Sequence, residues 1–181
     1  AMGMGLFVVA SDASAKQVQL TKENLYWFGK VFPAALAPAP VPNIFVHEIT
    51  ARTIPLAPNS VDAIVSEGWL GPARNVPSVP KEADRVFTMV TELLEHLFSH
   101  AGTVVRKGGR LLIAVPAFRA QKRLLRFPFD RLRAKVWTQE RLVPEEWRTN
   151  QTFREAARGT LLYGRPDAKV FREIVRFRRV S

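Results

Sequence analysis

Short apolar runs alternate with stretches of helical periodicity along most of this chain. Residues 6–11 (LFVVAS) form a valine-rich run that predicts a buried strand, with Asp12 at its C-terminal end. Ser14 stands where a helix cap is wanted, and Val18, Leu25 and Phe28 then recur on one helical face. Gly29 and the prolines of residues 33–42 predict a loop. A second short strand is expected over 44–47, ending at Glu48, and a third over 62–66, ending at Glu67. A loop with two glycines and three prolines fills 68–80. The clearest helix is predicted for 81–101, where Val86, Met89, Val90, Leu93, Leu94, Leu97 and Phe98 keep helical spacing and Gly102 is placed to end it.

Beyond that helix, Val104 and Val105 lead to an expected Lys107-Gly108-Gly109 turn. Residues 111–115 read as a fourth buried strand, which Pro116 should stop, and 138–148 carry a weak helical period. Residues 160–163 and 172–178 read as two strands joined through Gly164-Arg165-Pro166-Asp167. The second alternates Ile174, Arg176 and Arg178 against Val175, Phe177 and Arg179. This succession of short strands and helices predicts an open α/β sheet with right-handed crossovers.

Composition narrows the possible chemistry. At 181 residues and 47% hydrophobic the chain suits one domain, and no apolar run approaches the roughly 18 residues of a membrane span. The absence of cysteine excludes disulfides, thiolate zinc sites, iron–sulfur clusters and cysteine nucleophiles, and three histidines are a poor basis for a metal centre. A cytoplasmic, metal-free protein is the expectation.

Charge divides the chain more sharply. Residues 1–101 carry 7 basic and 9 acidic side chains, whereas residues 102–181 carry 20 and 7, a net of +13. The densest stretch holds Arg119, Lys122, Arg123, Arg126, Arg131, Arg133 and Lys135, interleaved with Phe118, Phe127, Phe129 and Trp137. Such a run predicts a polyanion-binding surface, with nucleic acid the preferred partner and no membrane. RNA and DNA are not separated by charge.

Asp12, Glu48 and Glu67 each close an apolar run. In an open α/β sheet the ligand crevice lies beyond the carboxyl ends of the strands, so the three acids are expected to line one cleft. The string Asn59-Ser60-Val61-Asp62-Ala63-Ile64-Val65-Ser66-Glu67-Gly68-Trp69-Leu70-Gly71-Pro72 resembles the catalytic-strand motif of class I S-adenosylmethionine (SAM) methyltransferases that modify exocyclic amino groups. It is most similar to the tRNA guanosine-N2 methyltransferases often joined to a THUMP domain. Three further stretches match that family: residues 9–28 resemble its ribose-binding strand and helix, Lys107-Gly108-Gly109-Arg110 its turn before the fifth strand, and Tyr163-Gly164-Arg165-Pro166-Asp167 with Val170 and Arg172-Glu173-Ile174 its C-terminal hairpin.

The resemblance implies a Rossmann-like SAM-methyltransferase sheet, mostly parallel with a C-terminal antiparallel hairpin. It implies one catalytic domain over 1–181, with 117–158 as a substrate-facing insertion. The family's first strand and glycine-rich loop have no counterpart in the sequence, and Gly68 replaces the motif's proline; a truncated N-terminus is the expectation.

By the same resemblance Asp12 would bind the ribose hydroxyls of SAM, Ala13 would border the adenine, and Glu48 with the Ile49 backbone would meet the adenine edge. Glu67 would accept the N–H of the target amine and Trp69 would stack on the base. Gly68, Leu70, Arg119, Lys122, Arg123, Arg165 and Arg172 would contact the nucleic acid, although ion pairs of Arg165 and Arg172 with Asp167 and Glu173 are an equal reading. The implied activity is methyl transfer from SAM to a base amine, in tRNA first. Amino-methylating DNA enzymes and a catalytically silent nucleic-acid-binding module are the alternatives. A dinucleotide oxidoreductase is weaker, since no Gly-x-Gly-x-x-Gly occurs.

Overall fold

A computed structural model describes residues 7–32, 44–48, 54–72, 75–120, 123–132, 135–147 and 158–181. The expectations for the chain before residue 7, for the proline-rich loop of 33–42 and for Ile49, Lys122 and Arg133 lie outside the described residues. The chain forms two compact units, Ala1–Pro55 and Leu56–Ser181.

In the first unit, β1 (Val8–Asp12) is followed by α1 (Ala15–Val31) and β2 (Ile44–Glu48). The two strands pair in parallel, Val8 with Ile44 through Asp12 with Glu48, as a βαβ crossover requires. Ser14 caps α1 as expected: its side chain accepts the Gln17 backbone N–H at 3.4 Å. Val18 is the buried residue of this helix.

The second unit holds β3 (Val61–Glu67), α2 (Pro80–Val104), β4 (Val105–Ala120), β5 (Arg123–Arg126), β6 (Trp137–Glu140), β7 (Leu161–Tyr163) and β8 (Val170–Arg179). These strands form a six-stranded sheet of order β3-β4-β8-β6, with β5 on β4 and β7 on β8. Only β3–β4 is parallel here; β4–β5, β4–β8, β6–β8 and β7–β8 are antiparallel. The expected mostly parallel sheet is therefore a mixed one, because the basic segment adds two antiparallel strands, β5 and β6, where only a weak helical period is legible. Glu145–Trp147 is a short 3₁₀ turn.

Two local signals have a different outcome from the one expected. Lys107-Gly108-Gly109 is a bulge inside β4 and not a turn before it. Between the pairings Val61–Val105 and Ala63–Arg110, β3 advances two residues while β4 advances five, and Gly108 absorbs the excess at φ 79°. Pro116 does not stop β4. The Arg119 backbone N–H donates to Lys169 O on the β8 side, so by alternation the nitrogen of Pro116 faces the other side. There β3 has made its last pairing at Ala114 and β5 makes its first at Ala117, so no ladder bond is lost.

Helix α2 buries Ala83, Val86, Phe87, Val90, Leu94, Leu97, Phe98, Ala101 and Val104, while Met89 and Leu93 stay exposed. It runs through Gly102 because Ala101 and Val104 continue its apolar face. Its N-cap, Val79, has no capping side chain; Glu82 compensates, accepting the Ser78 backbone N–H at 2.9 Å and the Ser78 hydroxyl at 3.2 Å. The layer between α2 and the sheet contains Leu111, Ile113, Val115, Phe171, Val175 and Phe177. Phe118 stacks on Phe87 at 5.5 Å, Phe127 meets Phe87 edge-on at 5.7 Å, and Trp137 Nε1–H donates to Phe98 O at 3.1 Å.

Strand alternation also turns Glu173 into this layer, wholly buried between Phe171 and Val175. Arg126 binds it in two places, Nη2 to Oε1 at 2.5 Å and Nε to Oε2 at 3.1 Å. Arg158 Nη2 and the Thr160 hydroxyl donate to Oε1 at 2.9 and 2.7 Å.

Two predictions concern stability. Glu173→Ala leaves both arginines without their carboxylate and should cost about 3 kcal/mol, at the low end for a broken buried pair because each arginine keeps some water access; denaturant unfolding with an unchanged m-value measures it. The Ser78 backbone N–H, aided by its hydroxyl, holds the Glu82 carboxyl below the usual carboxylate range. A lowered folded-state pKa contributes stability above the ordinary glutamate value, and that stability is lost as pH falls through the folded value. Glu82→Gln should therefore melt below the parent at pH 7, and the two melting temperatures should converge as the pH is taken below the ordinary glutamate range.

Candidate functional site

Each of the three acids singled out above ends its strand. Asp12 is the last residue of β1, Glu48 of β2 and Glu67 of β3. Within the first unit, Asp12 and Glu48 are register partners at the C-terminal end of the parallel pair. The Ser14 backbone N–H donates to Asp12 Oδ1 at 2.8 Å, which holds the carboxylate at the mouth of the turn into α1. The residue is exposed and has a second oxygen to offer, and Ala13 beside it is exposed as well. An exposed carboxylate at this strand end suits a vicinal diol.

In the second unit, β3 sends Ile64 and Ser66 toward the layer under α2 and Ala63, Val65 and Glu67 to the opposite face, where Val65 is 77% exposed. The Glu67 carboxylate is half exposed, and Arg172 Nε donates to its Oε1 at 2.5 Å. Glu67 pairs with Ala114 of β4, and Arg172 of β8 pairs with Pro116, so the arginine reaches its partner across β4. Arg172 is thus bound to neither Asp167 nor Glu173; Glu173 takes Arg126 and Arg158 instead. No local sequence signal marks this pair, whose members lie 105 residues apart.

The chain after Glu67 is an irregular loop. Trp69 is 41% exposed and Leu70 half-buried. A side chain at Gly68 would meet nothing closer than Ala114 O at 3.9 Å, so the position tolerates one. Gly71 does not: its φ is 99°, and a Cβ would sit 3.1 Å from Phe118 Cζ. The backbone of this part of the loop therefore lies close against the Phe118 ring, where there is no room for a side chain.

The basic stretch is less available than its density implies. Arg126 serves Glu173, and Arg131 pairs with Asp84 at 2.7 Å. Arg119 donates to Pro166 O and lies over the Phe171 ring at 4.8 Å, bracing the β7–β8 connection. Phe118, Phe127 and Trp137, expected as interleaved binding aromatics, are core residues, and Phe129 packs edge-on against Phe127 at 5.3 Å. Arg123, Lys135 and Arg165 are exposed. Among the described residues there is no helix long and apolar enough to cross a membrane, and no group of histidine, aspartate and glutamate that would hold a metal ion.

No family model and no curated protein matches this chain. Solved structures do. TrmN from Thermus thermophilus is similar over 96% of this chain and 36% of its own, at 14% identity and a TM-score of 0.52. Geranyl diphosphate C-methyltransferase from Streptomyces coelicolor A3(2), solved with Mg2+, geranyl diphosphate and S-adenosyl-L-homocysteine, is similar over 97% of this chain and 64% of its own, at 10% identity and a TM-score of 0.51. The chain spans about a third of TrmN and somewhat under two thirds of the Streptomyces enzyme. The fold is one found in methyltransferases.

The loop beside Glu67 provides a test of this geometry. Gly71→Ala should destabilise by about 1–3 kcal/mol, the range for a side chain forced into a sparsely populated backbone region, whereas Gly68→Ala should stay within about 0.5 kcal/mol. Paired thermal melts separate them.

Proposed function

We propose that this chain is a SAM-dependent methyltransferase domain that methylates an exocyclic amino group of a nucleic-acid base, in RNA, with guanosine N2 of tRNA the first candidate. The observation that carries this reading is Glu67, an exposed carboxylate at the carboxyl end of a parallel strand, followed by an exposed indole on a fold found in methyltransferases.

When bound, SAM supplies an electrophilic methyl group on sulfur. Its fit to this chain rests on Asp12 and Glu48. Asp12 keeps one oxygen on the Ser14 N–H and has the other for ribose hydroxyls, and Glu48, the residue assigned to the adenine edge in this reading, is its backbone register partner on β2. Ala13 and Ile49 follow these acids in sequence and complete the adenine contacts in this reading.

An exocyclic amine is conjugated with its ring and weakly nucleophilic. Glu67 accepts one of its N–H groups, which favours rehybridisation and directs the lone pair. The same carboxylate takes the proton after methylation, when the amine has become acidic. Trp69 stacks on the unstacked base, a contact of about 1–3 kcal/mol. Gly68 and Leu70 line its approach, while Arg123 and Arg165, with Lys122, supply phosphate contacts. Arg119, engaged with Pro166 and Phe171, contributes less than its charge suggests.

Methyl transfer from labelled SAM to tRNA and to duplex DNA tests the proposal, and label appearing only in DNA overturns the RNA assignment. Glu67→Ala should leave SAM affinity nearly intact by calorimetry and cut turnover by about 100-fold or more. Asp12→Ala should weaken SAM binding without altering RNA affinity. Normal turnover in Glu67→Ala removes Glu67 from the chemistry.

A further inference from the structure

Glu67 is not a free side chain. It ends β3 on the sheet face opposite α2, and on that same face, one strand beyond β4, β8 presents Arg172. Arg172 Nε donates to Glu67 Oε1 at 2.5 Å, and among the described residues no other group bonds the carboxylate, so Oε2 is the oxygen without a donor. Both side chains are about half exposed, at 42% and 51%. A pair this exposed adds little to folding stability, since water and salt screen it and two side chains must be ordered to make it. Its effect is geometric: a carboxylate at a strand end loses its freedom to rotate, and one oxygen is reserved.

We propose that Arg172 is a positioning residue for Glu67, holding Oε1 so that Oε2 alone meets the amine to be methylated. This rests on the reading of Glu67 as the amine acceptor. Arg172 is anchored for the task from three sides. It stands in register with Pro116 on β4 and Tyr163 on β7, and the next residue, Glu173, is locked into the core by Arg126 and Arg158. The buried carboxylate thus fixes the backbone from which the neighbouring arginine reaches outward. A phosphate-binding arginine would act on substrate affinity; a positioning arginine acts on turnover.

The test uses the full chain. Arg172→Gln should lower kcat by about tenfold to a hundredfold, the scale for a reacting group displaced by about an ångström, with KM for SAM and for tRNA little changed and the melting temperature unmoved. Arg172→Lys should recover part of the loss. In a Glu67→Ala background, Arg172→Gln should cost nothing further, because it acts only through the carboxylate. Independently of activity, the Arg172 Nε–Hε resonance should shift in Glu67→Gln and stay in place in Asp62→Asn. A resonance indifferent to Glu67→Gln overturns the pairing. A kcat loss in Glu67→Ala with none in Arg172→Gln overturns the positioning role and leaves the proposed function standing, as does loss of RNA affinity at constant kcat, which makes Arg172 a phosphate ligand. An unchanged kcat in Glu67→Ala overturns the proposed function and this inference with it.

Discussion

Strand alternation obliges β8 to turn every second side chain into the layer under α2, and at Glu173 that side chain is a carboxylate. An isolated charge there would cost several kcal/mol, so the surrounding chain must bring cations to it. Arg126 comes from β5, and Arg158 and Thr160 from the segment just before β7. Arg158 also donates to Phe127 O and lies over the Phe129 ring at 4.7 Å. Stretches of chain remote from one another in sequence are thereby fastened to one point, and the β7–β8 hairpin, β5 and the aromatic wall of Phe127 and Phe129 share its position.

This changes how the charge of the C-terminal half is understood. A net of +13 over residues 102–181 already sets each carboxylate of this half against a cation, so ion pairing decides where the arginines are held and does not cancel the excess. Arg126, Arg131 and Arg158 have internal carboxylate partners, Arg172 holds Glu67, and Glu140 gathers Arg110, Arg176 and Arg178 at 3.4, 3.2 and 2.9 Å. A large share of the basic side chains is therefore structural. Excess charge in a sequence sets an upper bound on a binding surface and does not locate it.

The strands that carry Asp12, Glu48 and Glu67 were legible because each is a short apolar run cut off by an acid, and the structure ends each strand at that acid. Helix α2 was legible from its period, though Met89 and Leu93, on the margin of the apolar stripe, are exposed. What was not legible depends on partners distant in the chain. Nothing around Pro116 announces that β3 ends and β5 begins on either side of it, and nothing around Lys107 distinguishes a bulge from a turn. Phe118, Phe127 and Trp137 look like binding aromatics beside arginines until Phe87 and Phe98 of α2 are placed against them. The Arg172–Glu67 pair is invisible for the same reason, since it exists only through the register of β8 on β4.

That register has a temporal side. Strand β8 pairs with β4, β6 and β7, yet it follows all three in the chain and is synthesised after them. Until it emerges, β4 has only β3 and β5 for company and the Arg126 guanidinium lacks its native partner Glu173. The second unit therefore closes late, through contacts between remote parts of the chain, and its nascent form presents unpaired strand edges to chaperones while synthesis is still under way.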